Sequence, residues 1–301
     1  MFLRDALFFI ALWMGTPSIG TAEPAPLPTF TCHGQAVQGG LLLCDAPAGS
    51  TLIVSGPGGE AKRLVPVNSS GTATIGLLRT ETLDLTIVAK DQDLPVQRIT
   101  LEKRDDPFRT ITGMDCDKVD ARTPEQIEHA GQSWVKKQAA FKTFSSGPGA
   151  SIGFIKPADG PMSSPFGPER KYIGVGKDGA TCEKTSVHHG YDMAVPIGTP
   201  IRAPAGGTVI LGDADLYYEG GTVFLDHGDG LVSVFMHMSE VDVTPGQVVE
   251  TGDRLGASGN SGRTTGPHLH WAVKWRNPGS DDRSRDFYID PALLLELDPF
   301  Q

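Results

Sequence analysis

A chain of 301 residues exceeds the usual single-domain length, so two units, each able to bury its own core, are expected. Its formal charge of −10 opposes nucleic acid or an anionic membrane surface as the main partner. The 37 Gly and 23 Pro follow no fixed period, which excludes a collagen-like or linker protein and reads as turns between many short strands.

At the N-terminus, Arg4 precedes an unbroken apolar run from Ala6 to Met14, followed by Gly15, Pro17 and the small residues Gly20, Thr21 and Ala22. That order reads as a cleaved signal peptide over residues 1–22, although Asp5 cancels Arg4 and leaves the amino terminus as the net positive charge. The run reaches only about half of the roughly 20 residues a membrane-crossing helix needs, so no transmembrane anchor is expected. Export places Cys32, Cys44, Cys116 and Cys182 in an oxidising compartment, where disulfides are the ordinary outcome. Three connectivities are open. Cys32 and Cys44 flank a Gly-rich stretch that can turn back as a hairpin, which favours that pair and, by elimination, Cys116 with Cys182. A Cys-rich zinc site would need a closely spaced Cys pair, which the chain lacks.

Over residues 23–105, β-rich runs such as Thr51 to Val54, Ala73 to Leu77 and Leu83 to Ala89 alternate with turn residues, which predicts a small N-terminal β-sandwich-like domain. It contains no convergent polar set and reads as a binding or spacing module. A connector, 106–150, follows. Thr123, Pro124, Glu125 and Gln126 make a capping box with proline at the first helical position, predicting a helix over about 123–144. Ile127, Ala130, Trp134 and Phe141 recur at helical spacing, an apolar stripe expected to pack between domains until Gly147, Pro148 and Gly149 end it. Residues 151–301 return to short strands, with Asp229-Gly230 predicted to join Thr222–Asp226 to Leu231–Phe235 as a hairpin.

The chemistry lies in this last part. His188, Gly190 and Asp192 alternate in a segment too rich in proline and glycine for a helix, so a strand would place His188 and Asp192 on one face, with Gly190 leaving room for a metal. His268 and His270 flank Leu269 just before Trp271, Ala272 and Val273, again strand-like, so both imidazoles face one way. Two ligands from the first segment and one from the second give the three-ligand, open-position pattern of catalytic zinc, with one histidine of the second pair left over for catalysis. Alternation along the strand from Leu231 puts Ser233, Phe235 and His237 on one face. His227 reads as a turn residue, and His33, His129 and His189 show no partner spacing. Gly259-Asn260-Ser261-Gly262 lacks the second glycine and the elbow context of a serine nucleophile.

These segments, HxGxD at His188 to Asp192, HxH at His268 to His270 and the single His237 between them, resemble the lysostaphin-type, or LytM-like, peptidoglycan endopeptidases. The resemblance extends over Ile152 to Leu295, supported by Ser163-Ser164-Pro165-Phe166-Gly167 with Arg170, Gly198-Thr199-Pro200 with Ala203-Pro204, and Gly262 to His270. It implies one zinc ion held by His188, Asp192 and His270, with His237 and His268 contacting the catalytic water and the developing oxyanion. It implies a mainly β protein whose C-terminal antiparallel β peptidase domain carries the site in an open groove. The implied activity is that of an exported zinc metalloendopeptidase, periplasmic or extracellular, cutting peptide cross-links in peptidoglycan, with D-alanyl to diaminopimelate bonds the expected target. Phe235 stands where the family commonly has Tyr, and Cys182 falls in a variable loop. Two alternatives are an inactive scaffold that binds cell wall or activates an amidase, and a zinc peptidase acting on Gly-rich peptides or proteins. By analogy, the connector is also a candidate cover for the groove.

Overall fold

The computed structural model describes residues 30–59, 61–177, 179–282 and 285–297, and the expected signal peptide lies outside them. The protein is mainly β. Among the described residues no helix is long and apolar enough to cross a membrane.

The N-terminal part is two small antiparallel sheets. One orders Thr31–Gly34, Leu41–Asp45 and Thr72–Gly76; the other orders Ala61–Pro66, Thr51–Ser55, Asp84–Ala89 and Gln97–Thr100. Leu52, Val54, Leu85 and Ile87 alternate inward along their strands, the period of two that a half-buried sheet imposes. Cys32 and Cys44 are register partners and form a disulfide across the first hairpin. The second disulfide joins Cys116 to Cys182, so the connectivity favoured by the Gly-rich turn is the one present.

The connector departs from expectation in two ways. Its first part is a strand, Phe108–Asp115, which pairs in parallel with Glu169–Val175, itself antiparallel to Thr181–Val187. The Cys116–Cys182 bridge fastens the end of this strap to the same sheet. Its second part is the helix Pro124–Phe141, with the capping box between Thr123 and Gln126 formed. The expected apolar stripe turns inward only at its end: Phe141 is buried, whereas Ile127 and Trp134 are 57% and 59% exposed. Polar anchors set the helix's rotation instead. Lys136 pairs with Asp213 at 2.6 Å, and His129 Nε2 reaches the Asp215 carbonyl at 2.8 Å. Ser133 Oγ accepts the Tyr217 N–H at 3.0 Å, and only the last turn is apolar, with Phe141 stacked on Phe224 at 4.7 Å.

The C-terminal part is built on a ten-stranded sheet whose centre runs Gly207–Leu216, Gly220–Gly228, Leu231–Val241, Leu269–Trp275, Tyr191–Met193. The predicted hairpin forms, with Asp229 (φ 48°) and Gly230 (φ 80°) both left-handed, as a two-residue turn matched to strand twist requires. Trp275 reaches across to the N-terminal sheets. Its Nε1 donates to the Thr74 carbonyl at 3.0 Å, and a Cβ on Gly76 would lie 2.6 Å from its ring. Arg104 adds an ion pair to Asp290 at 2.8 Å. One continuous apolar core therefore contains residues of both parts, including Leu41, Ile75, Trp271 and Trp275.

Candidate metal centre

His188 sits just beyond the strand Thr181–Val187, in a bend that Gly190 turns before the short strand Tyr191–Met193 begins. The expected single strand through His188 and Asp192 is thus broken: His188 still exchanges backbone hydrogen bonds with Gly167 and Pro168, but a strand begins again only at Tyr191. The bend still brings the two together. Asp192 is the register partner of His270, so the antiparallel ladder sets those side chains side by side.

Three atoms converge: His188 Nε2 lies 3.0 Å from Asp192 Oδ1 and 3.2 Å from His270 Nδ1, and His270 Nδ1 lies 2.8 Å from Asp192 Oδ1. His188 and Asp192 are buried. Gly190 is required because a Cβ there would lie 2.4 Å from the His270 ring. Burial alone would raise the Asp192 pKa, but its close contacts with His188 and His270 outweigh that and hold the carboxyl far below the usual range. Arg170 adds a contact to Asp192 Oδ2 at 3.4 Å and donates to Ser164 Oγ at 2.6 Å. His188 Nδ1 donates to the Pro165 carbonyl at 2.7 Å, which fixes the tautomer and leaves Nε2 with its lone pair toward Asp192 and His270.

His237 and His268 complete the same cleft, a cavity of about 230 Å³. Each is oriented by a backbone carbonyl: His237 Nδ1 to Ser261 at 2.9 Å, His268 Nδ1 to Gly266 at 2.8 Å. Their ring centroids are 4.9 Å apart, and His268 Nε2 is 3.8 Å from Asp192 Oδ1. Burial, reinforced by His270 and His268, lowers the His237 pKa to about 3, so the ring is neutral, and with Nδ1 donating to Ser261 its Nε2 carries the lone pair.

Simple alternation fails at His237. Phe235 is fully buried whereas Met236 and His237 both line the cleft, because the His237 backbone is left-handed (φ 64°) and turns the side chain out of sequence. The Glu219 carbonyl accepts the His237 N–H at 2.8 Å and holds this conformation.

Other lining residues had no readable spacing. His189 stacks on Tyr288 at 5.1 Å, and burial, followed by the nearby His188, lowers its pKa to about 4. The connector borders the cleft on two sides. Ile111 and Met114 of the strap line it, and Lys137 of the helix pairs with Glu219 at its edge. His227, expected in a turn, is instead a fully buried strand residue. Ser261 Oγ donates to the Met238 carbonyl at 2.8 Å and accepts the Gly221 N–H at 2.9 Å, so it braces the loop and is no nucleophile.

The model of peptidase family M23 matches residues 186–282. An uncharacterized metalloprotease of Haemophilus influenzae is 35% identical over 154 residues, covering 48% of this chain and 30% of the relative. Peptidoglycan DD-endopeptidase ShyA of Vibrio cholerae is 37% identical over 112 residues, covering 37% of this chain and 24% of the relative. The matched stretches thus span less than a third of either curated relative's length. A solved structure from Pseudomonas aeruginosa, described as a candidate M23 peptidase, aligns with a TM-score of 0.58 and 30% identity over 87% of this chain and 96% of that one. Through that near-complete alignment and the match over residues 186–282, the chain belongs to peptidase family M23.

Proposed function

We propose that this chain is an exported zinc metalloendopeptidase that hydrolyses peptide cross-links of bacterial peptidoglycan. The observation that carries the reading is the meeting of His188 Nε2, Asp192 Oδ1 and His270 Nδ1 within hydrogen-bond distance of one another in a cleft that also holds His237 and His268. Two imidazoles and a carboxylate are a zinc donor set, and the proton of His188 is committed to Pro165, away from the centre. His188, Asp192 and His270 would hold the ion, which when bound supplies a Lewis acid that polarises a carbonyl and acidifies water.

The chain's own residues do the rest. Arg170 contacts Asp192 Oδ2 and favours its ionised form. His237 or His268, each with Nδ1–H tied to a carbonyl, offers Nε2 to take the proton of the attacking water. The other, once protonated, stabilises the oxyanion of the tetrahedral intermediate, an interaction worth roughly 3–4 kcal/mol in comparable sites.

The relative named as a peptidoglycan DD-endopeptidase supports cell-wall peptide as substrate, and the paired cysteines support an oxidising compartment such as the periplasm. The test is digestion of defined muropeptides with the cut bond mapped by mass spectrometry, with and without chelator. Cleavage of the D-alanyl to diaminopimelate bond, lost on chelation and restored by zinc, is expected. Intact muropeptides with the zinc-loaded protein would overturn the reading.

A further inference from the structure

Arg263 lines the metal cleft beside Thr264, whose hydroxyl lies 3.2 Å from His268 Nδ1. Its guanidinium carbon lies 5.0 Å from the ring centroid of Tyr218 and 5.8 Å from that of Tyr172. Its backbone N–H donates to the Tyr218 carbonyl at 2.8 Å, and Nη1 makes one long bond, 3.4 Å, to the Val119 carbonyl. The side chain is thus held between two aromatic faces and the short helix Cys116–Val119 that follows the strap.

Other cations of this region are already paired. Arg170 is bound to Ser164 and Asp192, Lys137 to Glu219, and Lys184 to Asp120 at 3.2 Å. Asp120 also accepts the Tyr218 hydroxyl at 2.6 Å. Among the described residues Arg263 has no carboxylate partner, in a chain of net charge −10 where acids outnumber bases. A guanidinium fixed on aromatic rings is always charged, weakly hydrated, and shaped as a planar fork that takes a carboxylate through two parallel hydrogen bonds.

We propose that Arg263 binds a free carboxylate of the peptide substrate, making the cleft selective for peptides that carry one close to the scissile bond; this rests on reading the cleft as a peptidase site. The ligand class is a short peptide with a terminal or side-chain carboxylate. Arg263 then acts as a specificity residue that touches substrate without taking part in the proton transfers.

The experiment uses two synthetic stem peptides identical but for a C-terminal carboxylate or carboxamide. Both are titrated into the zinc-loaded full chain and into Arg263→Gln and Arg263→Lys, and hydrolysis of the same pair is then followed. The wild type should bind the carboxylate form about tenfold or more tightly than the carboxamide, the scale of one charge-assisted hydrogen-bonded pair. Arg263→Gln should bring the ratio close to one and Arg263→Lys should fall between, with zinc content unchanged. Equal binding of both peptides by the wild type, or full preference retained in Arg263→Gln, would overturn the proposal. If preference is seen but the zinc-loaded protein cuts neither peptide, the carboxylate site stands and the peptidase reading fails. If both are cut with equal kcat/KM, the carboxylate site fails and the peptidase reading stands.

Discussion

His237 Nδ1 lies 2.9 Å from the Ser261 carbonyl, so the imidazole donates there and keeps Nε2 as its lone-pair nitrogen. The three convergent donors, by contrast, commit their facing atoms to one another. This division predicts different outcomes for substitution. His188→Ala and His270→Ala should lose zinc and activity together, whereas His237→Ala should keep zinc while turnover falls by about 10²–10⁴, the range of a lost general acid or base. Metal analysis of the purified variants decides it, and a metal-free His237→Ala would count against the assignment.

Gly190→Ala tests whether the bend, and not only its ligands, makes the centre. Its Cβ would stand 2.4 Å from His270 Cε1 and Nε2 and 2.9 Å from the Trp271 carbonyl, distances that real structures do not tolerate. The His270 ring must swing away, and zinc affinity should fall by at least about tenfold, since 1.4 kcal/mol of strain already costs that factor. Competition with a fluorescent chelator would measure the change.

Lys137 and Glu219 form an ion pair that is mostly shielded from water, and among the described residues one Glu219 oxygen has no hydrogen-bond partner. Lys137→Met should destabilise the fold by about 2 kcal/mol, below the roughly 3–5 kcal/mol of a fully buried pair because the lysine retains some exposure. It should also lower kcat, since the Glu219 carbonyl holds the His237 backbone. Adding Glu219→Gln removes the uncompensated charge and should recover much of the stability in urea denaturation. No recovery would show that the charge is not the cause.

His227 predicts a pH effect away from the cleft. Trp271 Nε1 donates to Ser233 Oγ at 3.1 Å, the Ser233 hydroxyl donates to His227 Nε2 at 2.8 Å, and His227 Nδ1 donates to the Gly206 carbonyl at 2.9 Å. That chain requires the neutral ring, and burial lowers the pKa to about 4. The unfolded chain, titrating near 6.5, binds the proton more readily, so the contribution is fully present above about pH 6.5 and is lost as pH falls toward 4. The loss should approach about 3 kcal/mol, at 1.36 kcal/mol per pH unit. Urea midpoints at pH 7 and pH 5 for the wild type and His227→Gln check it: the variant should show the smaller difference.

Local spacing told most where the chemistry is short-range. The HxGxD and HxH segments bring their side chains together because a five-residue bend and a three-residue strand fix their own geometry, and the Thr123 capping box placed its helix. What could not be read depends on distant partners. Phe108–Asp115 is a strand only because Glu169–Val175 offers it an edge 61 residues on. Ile127 and Trp134 keep helical spacing but stay exposed, because the Lys136 and His129 anchors decide which face turns inward. Period-two alternation does not give the face of His237, because it fails across a left-handed residue. Arg263 and Glu219 stand alone in sequence, and only the folded cleft gives them neighbours.

The seat of Trp275 on Gly76 and Thr74 changes what a shortened form of this protein would be. The first seventy-odd described residues are not a cartridge that can be unplugged; they are one wall of the room. A fragment starting near Ala150 would meet water along Trp275 and the apolar residues that share its core, an exposed patch that favours aggregation. Any regulatory role for the strap must therefore be sought with the whole chain intact, by point changes at Ile111 or Met114 where they face the cleft.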